Sequence, residues 1–388
     1  MHPTTPTPSR AAAGAQRVYL VPGMFGFGRL AGFEYFHHVR AALAERFQRA
    51  ATTALIEIVP CSPTASIRHR ARILARTIEQ TAGGDRLPIH LLGHSTGGLD
   101  LRLVLSPSAT LGIDPDRLAW RARVRSAVSI NAPHYGTPLA TYFSTVAGTR
   151  LLYALSLLTV VSLVLTGPSL DLLSRVIGGV GDLDRAVTGD HRLLSRFTDG
   201  VLRFMDPAAR REIEGYLRKV RADQGGVIQI TPEAMDVFNA STEDDPAVRY
   251  GCVATAAPPP GAIRMLERLR SPQAAVTASL YSTLYRFAGQ PHEMYPYARP
   301  TEGEEDRLAH AVTRPVTERS SDGIVPTLSM LWGELVWCGE ADHLDVLGHF
   351  RDDVRPRQHT DWITTGAGFT RRRFAEMLDA VVAFQLGA

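Results

Sequence analysis

Gly93-His94-Ser95-Thr96-Gly97 has the spacing G-x-S-x-G, which carries a serine on a sharp turn between a strand and a helix. Small residues flank such a turn because its backbone is strained and the strand and helix approach closely. A pattern this short recurs by chance, so its surroundings decide its meaning. Leu87-Pro88-Ile89-His90-Leu91-Leu92 precedes it as an apolar strand, and Gly98-Leu99-Asp100-Leu101-Arg102-Leu103-Val104-Leu105 follows it as a helix start. Ser95 is therefore a candidate nucleophile. His94, beside it in the chain, is expected to point away from the reacting face as a packed, hydrogen-bonded side chain.

A serine hydroxyl is a poor nucleophile at neutral pH and needs a base, and the base needs an acid to hold its tautomer. After such an elbow the chain order is Ser, then Asp or Glu, then His. Ser320-Ser321-Asp322-Gly323-Ile324-Val325-Pro326 supplies Asp322 in a tight turn, although Asp-Gly is also an ordinary turn dipeptide. Cys338-Gly339-Glu340-Ala341-Asp342-His343-Leu344-Asp345 supplies His343 directly after a strand, where open α/β sheets place their chemistry. His349 and His359 fall further along, and His134 precedes the acid, where cap packing is its expected role. Acyl transfer also needs oxyanion donors, each worth roughly 2.7 to 4 kcal/mol. The N–H of Thr96 is one, and the N–H of Met24 is the second, offered by the loop Pro22-Gly23-Met24-Phe25-Gly26-Phe27-Gly28.

The elements that must position these groups follow a βαβ rhythm. Strands are predicted at Val18–Val21, Ala54–Val59, Pro88–Leu92 and Val124–Ile130, each ending at turn residues, and helices at Phe33–Phe47, Ser66–Ala82 and Thr96–Leu105. From Tyr135 to about Glu318 the rhythm is lost, apart from one core-like strand at 249–255. It returns with a strand at Leu335–Cys338 and a closing helix at Phe369–Leu386. Residues 1–16 read as a mobile tail, 17–134 and 319–388 as the α/β core, and 135–318 as a cap or lid insertion.

Composition narrows the class. Of 388 residues, 45% are hydrophobic and 21% charged, and the mean hydropathy is −0.05, which excludes a disordered chain or a polytopic membrane protein. Lys and Arg number 42 against 39 acids, without a long basic run, so nucleic acid is not an implied partner. Cys61, Cys252 and Cys338 are too widely spaced for a disulfide scaffold or zinc site. With no signal peptide legible at the start, cytoplasmic residence is the default expectation.

The chain resembles bacterial triacylglycerol lipases and esterases of the α/β-hydrolase superfamily. The resemblance rests on V-P-G-M-F-G-F-G, G-H-S-T-G-G-L-D-L-R, N-A-P-H-Y-G-T-P, T-P-E-A-M-D-V-F-N, S-D-G-I-V-P and D-H-L-D, which occur in the family's order. It implies an α/β-hydrolase fold with a large helical cap, and lipid or other apolar esters as substrates. It also implies Ser95, Asp322 and His343 as the catalytic residues, with Met24 and Thr96 forming the oxyanion hole. One departure is the oxyanion loop, which often opens with His-Gly in such lipases and here has Pro22-Gly23. The resemblance further implies a structural Ca²⁺ near the catalytic histidine, with Asp345 as ligand and a second acid from Glu302, Glu304, Glu305 or Asp306. Solvated loop acids are the plainer reading of those four.

Leu151 to Thr166 is the most apolar run. Its length borders on that of a membrane span, but a single crossing there would part Ser95 from Asp322 and His343. Residues 151–170 are thus expected to form a buried cap helix, a mobile lid or shallow membrane contact, or a membrane anchor. An acyltransferase built on the same triad and a non-catalytic lipid-binding module are the alternative functions.

Overall fold

A computed structural model describes residues 14–145, 206–262, 272–356 and 358–387, with a few positions between 148 and 202. Six strands form one parallel sheet: β1 (Ala15–Val21), β2 (Thr53–Ile58), β3 (Ile89–His94), β4 (Val124–Ile130), β5 (Arg249–Ala256) and β6 (Glu334–Glu340). Their order is β2-β1-β3-β4-β5-β6. Strands β1 and β3 to β6 carry apolar residues on both faces because helices cover both, whereas the edge strand β2 exposes Thr53, Leu55 and Glu57. Val18 and Leu20 of β1 face one side while Tyr19 and Val21 face the other.

Helices α1 (His37–Arg49), α2 (Ile67–Ala82), α3 (Thr96–Leu105) and, at the end of the chain, Arg371–Leu386 flank the sheet. The last of these pairs with α1, whereas α2 pairs with α3. In α2 the Ser66 side chain caps the His69 N–H, and Ile67, Ala71, Leu74, Ala75, Ile78 and Ala82 form the buried stripe. The predicted helix at Phe33 begins only at His37, because Phe33-Glu34 pairs with Arg29-Leu30 in a two-residue ladder. Ala15 and Gln16, assigned from sequence to the tail, belong to β1 and pair with Thr53 and Ala54.

Strand order reverses between β1 and β3, so loops leaving these neighbouring strands diverge and open a crevice at their carboxyl ends. The loop expected to offer the oxyanion donors and the turn that carries Ser95 are those two loops. Between β4 and β5 the chain forms α4 (Pro138–Phe143), α5 (Pro207–Ala222) and α6 (Pro232–Ser241). Between β5 and β6 it forms α7 (Pro272–Ala288) and α8 (Glu302–Ala311); the closing helix is α9. Most of the apolar run 151–166 lies outside the described residues, although Leu152, Tyr153 and Leu155 within it are buried. No helix among the described residues is long and apolar enough to cross a membrane.

Candidate active site

Ser95 has φ 54° and ψ −128°, a left-handed backbone that few non-glycine residues adopt. Its neighbours allow this by lacking side chains. A Cβ on Gly93 would lie 2.5 Å from the Gly97 carbonyl carbon, and one on Gly98 would lie 2.6 Å from Ala132 Cβ. A Cβ on Gly97 would overlap the Val21 carbonyl oxygen, so α3 could not pack against β1. The Ser95 N–H donates to the Ile130 carbonyl at 2.8 Å, which anchors the elbow to β4.

Asp322 lies in the loop expected from sequence, with Gly323 at φ +97° behind it. Its Oδ1 accepts from the Ile324 and Val325 N–H groups at 2.9 and 2.8 Å, and its Oδ2 accepts from His343 Nδ1–H at 2.6 Å. Both oxygens are thus used, and the acid is fully shielded from water. His343 follows β6, with its ring almost buried. Ser95 and His343 face one cavity of about 60 Å³, walled by Met24, Phe143, Leu155, Ile230 and Ile324 among others. The Ser95 hydroxyl makes no hydrogen bond among the described residues.

The oxyanion loop is held from three sides. The Phe25 N–H donates to the Pro63 carbonyl at 2.9 Å, and Tyr216 of α5 donates its hydroxyl proton to the Phe25 carbonyl at 2.7 Å. Arg70, from the buried face of α2, reaches the Pro22 carbonyl and the Ser62 carbonyl, the latter at 2.8 Å. Its guanidinium also pairs with Asp100 of α3 at 2.8 Å, with both side chains almost wholly buried. Met24 N–H has no acceptor among the described residues, and Thr96 N–H, first in α3, precedes the intrahelical bonds. Gly23 lets the two loops touch, since a Cβ there would lie 2.6 Å from Ser95 Cβ.

The neighbouring histidines have other roles. His94 is completely buried, with Nδ1 on the Tyr35 hydroxyl and Nε2 on the His343 carbonyl, each at 2.9 Å. Burial and the adjacent His343 hold its pKa well below the ordinary value. His134 stacks on Trp332 and bonds Ser129 at 2.9 Å, while His349 and His359 cluster with His38. The T-P-E-A-M-D-V-F-N stretch forms α6, whose Asn239 takes a hydrogen bond from Arg102 of α3 and donates to the His134 carbonyl. Cap and elbow helix are thereby joined. Sequence reasoning passed over Arg70 and Asp100, although a charged residue on each apolar helix stripe was a visible signal, and Tyr35, which no local pattern marks.

The calcium expectation paired Asp345 with an acid from Glu302, Glu304, Glu305 or Asp306. Those four ride on α8, where Glu304 closes a capping box with Thr301. Among the described residues, the carboxylates that converge with Asp345 are instead Asp342 and Asp361, with ligand oxygens within 4.8 Å of one another. Burial pushes Asp342 up to about 6, against the N–H and hydroxyl donors of Trp362, Leu344, Asp345 and Thr365. Burial, with Asp342 and Asp361 nearby, raises Asp345 well above the usual carboxylate range. Three hard oxygen donors crowded at this distance suit a divalent cation of the calcium type. Asp345 and Asp361 also line a depression of about 570 Å³ through which an ion could reach them.

The parallel sheet, its flanking helices and the turn at Ser95 are those of the α/β-hydrolase fold. Among solved structures the chain is similar to lipase 1 from Pelosinus fermentans (TM-score 0.52, 17% identity, covering 95% of this chain and 99% of that one). It is also similar to Staphylococcus hyicus lipase (TM-score 0.53, 14% identity, 99% and 98% covered). In sequence, 124 residues are 32% identical to a triacylglycerol lipase of Vibrio cholerae, covering 32% of this chain and 34% of the relative. A triacylglycerol lipase of Pseudomonas fragi matches at 27% over 124 residues, covering 32% and 36%. The chain thus spans about a third of the length of these curated relatives. No protein-family profile matches it.

Proposed function

We propose that the protein is a serine hydrolase that cleaves carboxylic esters of apolar, lipid-like acyl groups through an acyl-enzyme. The observation that carries this reading is a serine held in a left-handed elbow, facing the same apolar cavity as a histidine bonded to a buried carboxylate. Ser95 Oγ attacks the ester carbonyl carbon while His343 Nε2 takes its proton. Asp322 fixes the Nδ1–H tautomer and balances the imidazolium charge. The N–H groups of Met24 and Thr96 donate to the oxyanion. The leaving alkoxide takes the proton from His343, and water repeats the cycle on the acyl-enzyme.

The matched triacylglycerol lipases support the ester and lipid parts of this reading. So does the cavity wall, which places methyl, thioether and phenyl groups around the serine. Each acyl CH₂ buried there contributes roughly 0.8 kcal/mol. Leu155 and Thr159 of the apolar run line the cavity, and contact of that run with a lipid surface is part of this reading. Asp342, Asp345 and Asp361 would hold Ca²⁺, which would neutralise their charge and fasten the His343 loop without entering the reaction.

Ser95→Ala is expected to fold, to resist fluorophosphonate labelling and to lose p-nitrophenyl ester turnover by roughly 10⁴-fold or more. Turnover near that of the parent would overturn the reading. With an added alcohol acceptor the free acid is expected as the main product; ester as the main product would make the protein an acyltransferase. A rate jump when substrate passes its micellar concentration is expected from the lipid-surface contact proposed for the apolar run, and equal rates would count against it.

A further inference from the structure

We propose that His94 is a positioning residue: Tyr35 locks its tautomer, and its ring then ties the main chain of the catalytic base to the nucleophile's own strand. This rests on the hydrolase reading above. The His343 carbonyl can only accept, so His94 Nε2 carries the proton and Nδ1 is left as an acceptor, into which the Tyr35 hydroxyl donates. With the ring wholly buried, no water can replace either partner. The opposite tautomer would set a lone pair against the carbonyl.

The sheet alone does not fix the base relative to the nucleophile. Ser95 follows β3 and His343 follows β6, with β4 and β5 between them. On its other side His343 is held by the Asp322 carboxylate, which orients the ring but comes from the connection between α8 and β6. The bond from His94 to the His343 carbonyl spans 249 positions of chain and ends one residue from the nucleophile. The two imidazoles also touch, with ring centroids 4.7 Å apart at 53°. Because burial keeps His94 neutral, His343 gains its proton without meeting a like charge. Tyr35 extends the tie to the oxyanion side, where its ring meets Phe27 edge-on at 5.9 Å.

Three variants test this. Tyr35→Phe keeps the ring and removes the lock. His94→Gln keeps a donor where Nε2–H stood, and His94→Leu keeps bulk alone. Tyr35→Phe and His94→Gln are expected to lower kcat by roughly tenfold, with KM within about twofold, the effect of one misplaced buried hydrogen bond. His94→Leu is expected to lose about tenfold more than His94→Gln, since it restores nothing at the carbonyl. The low-field proton signal of the His343–Asp322 pair should persist in Tyr35→Phe and broaden in His94→Leu. Fluorophosphonate labelling of the unmodified protein checks the hydrolase reading separately. If that protein labels and Tyr35→Phe keeps full kcat, or if the Gln and Leu variants lose kcat equally, the positioning role falls.

Discussion

Arg70 occupies a position where an amphipathic helix ordinarily places an apolar side chain, and it is charged for a reason that lies outside the helix. It joins α2 to Asp100 on α3 and to the Pro22 and Ser62 carbonyls, so one guanidinium ties α3 to the loop after β1. Arg70→Met leaves Asp100 buried without a partner, which is expected to cost about 3–5 kcal/mol in urea unfolding. The double variant Arg70→Met with Asp100→Leu should recover much of that stability but not the turnover, because the Pro22 and Ser62 carbonyls stay unheld. Equal stability losses in the single and double variants would contradict this account. Asp322→Asn tests another single group. An amide that presents its N–H to Nδ1 favours the wrong imidazole tautomer, and kcat should fall roughly 10⁴-fold while the fold persists.

At the scale of elements, the elbow depends on strand and helix meeting where no side chain fits. Gly97→Ala drives a methyl group into the Val21 carbonyl and is expected to lower stability by about 2 kcal/mol or more. Gly84→Ala is the control. It has open space around its Cβ position and no left-handed backbone, so it should be neutral or stabilise by roughly 0.4–1 kcal/mol. Thermal melting separates the two. The loop after β6 poses a different problem, because Asp342, Asp345 and Asp361 repel one another unless a cation or protons intervene. Millimolar calcium should raise the melting temperature and a chelator lower it. A melting temperature indifferent to both would remove calcium from the account. The sequence placed Asp345 near this site but not its companions, since Asp361 comes close only through the fold of the loop that also brings Trp362 onto Asp342.

For the molecule as a whole, half-buried histidines packed against one another carry a contribution to stability that acid removes. His38 is lowered to about 4 by burial and by His359 and His37. His349 is lowered to about 3 by burial and by His38, His359 and His37. At these histidines, between the ordinary value and the depressed ones, the unfolded chain binds more protons than the folded chain. Their contribution to stability is therefore full at neutral pH and falls as pH drops from about 6.5 toward 4, whereas the buried Asp342 carboxyl, raised to about 6, acts in the opposite sense. The urea midpoint of His349→Gln should therefore rise relative to that of the parent as pH falls from 7 to 5; a difference independent of pH would contradict the assignment. From the sequence alone the α/β-hydrolase class was legible, because parallel strands buried on both faces and a glycine-bounded serine are patterns of neighbouring residues. Ser95, Asp322 and His343 could be named as candidates for the same reason, each announced by its own turn. Tertiary structure alone decided that Asp322 bonds His343, that Arg70 finds Asp100, that His94 holds the His343 carbonyl, and that Asp361 rather than an acid of α8 approaches Asp345. These are meetings of side chains from distant segments, set by strand order and by the burial that leaves each polar group few partners, and neither is written in local spacing.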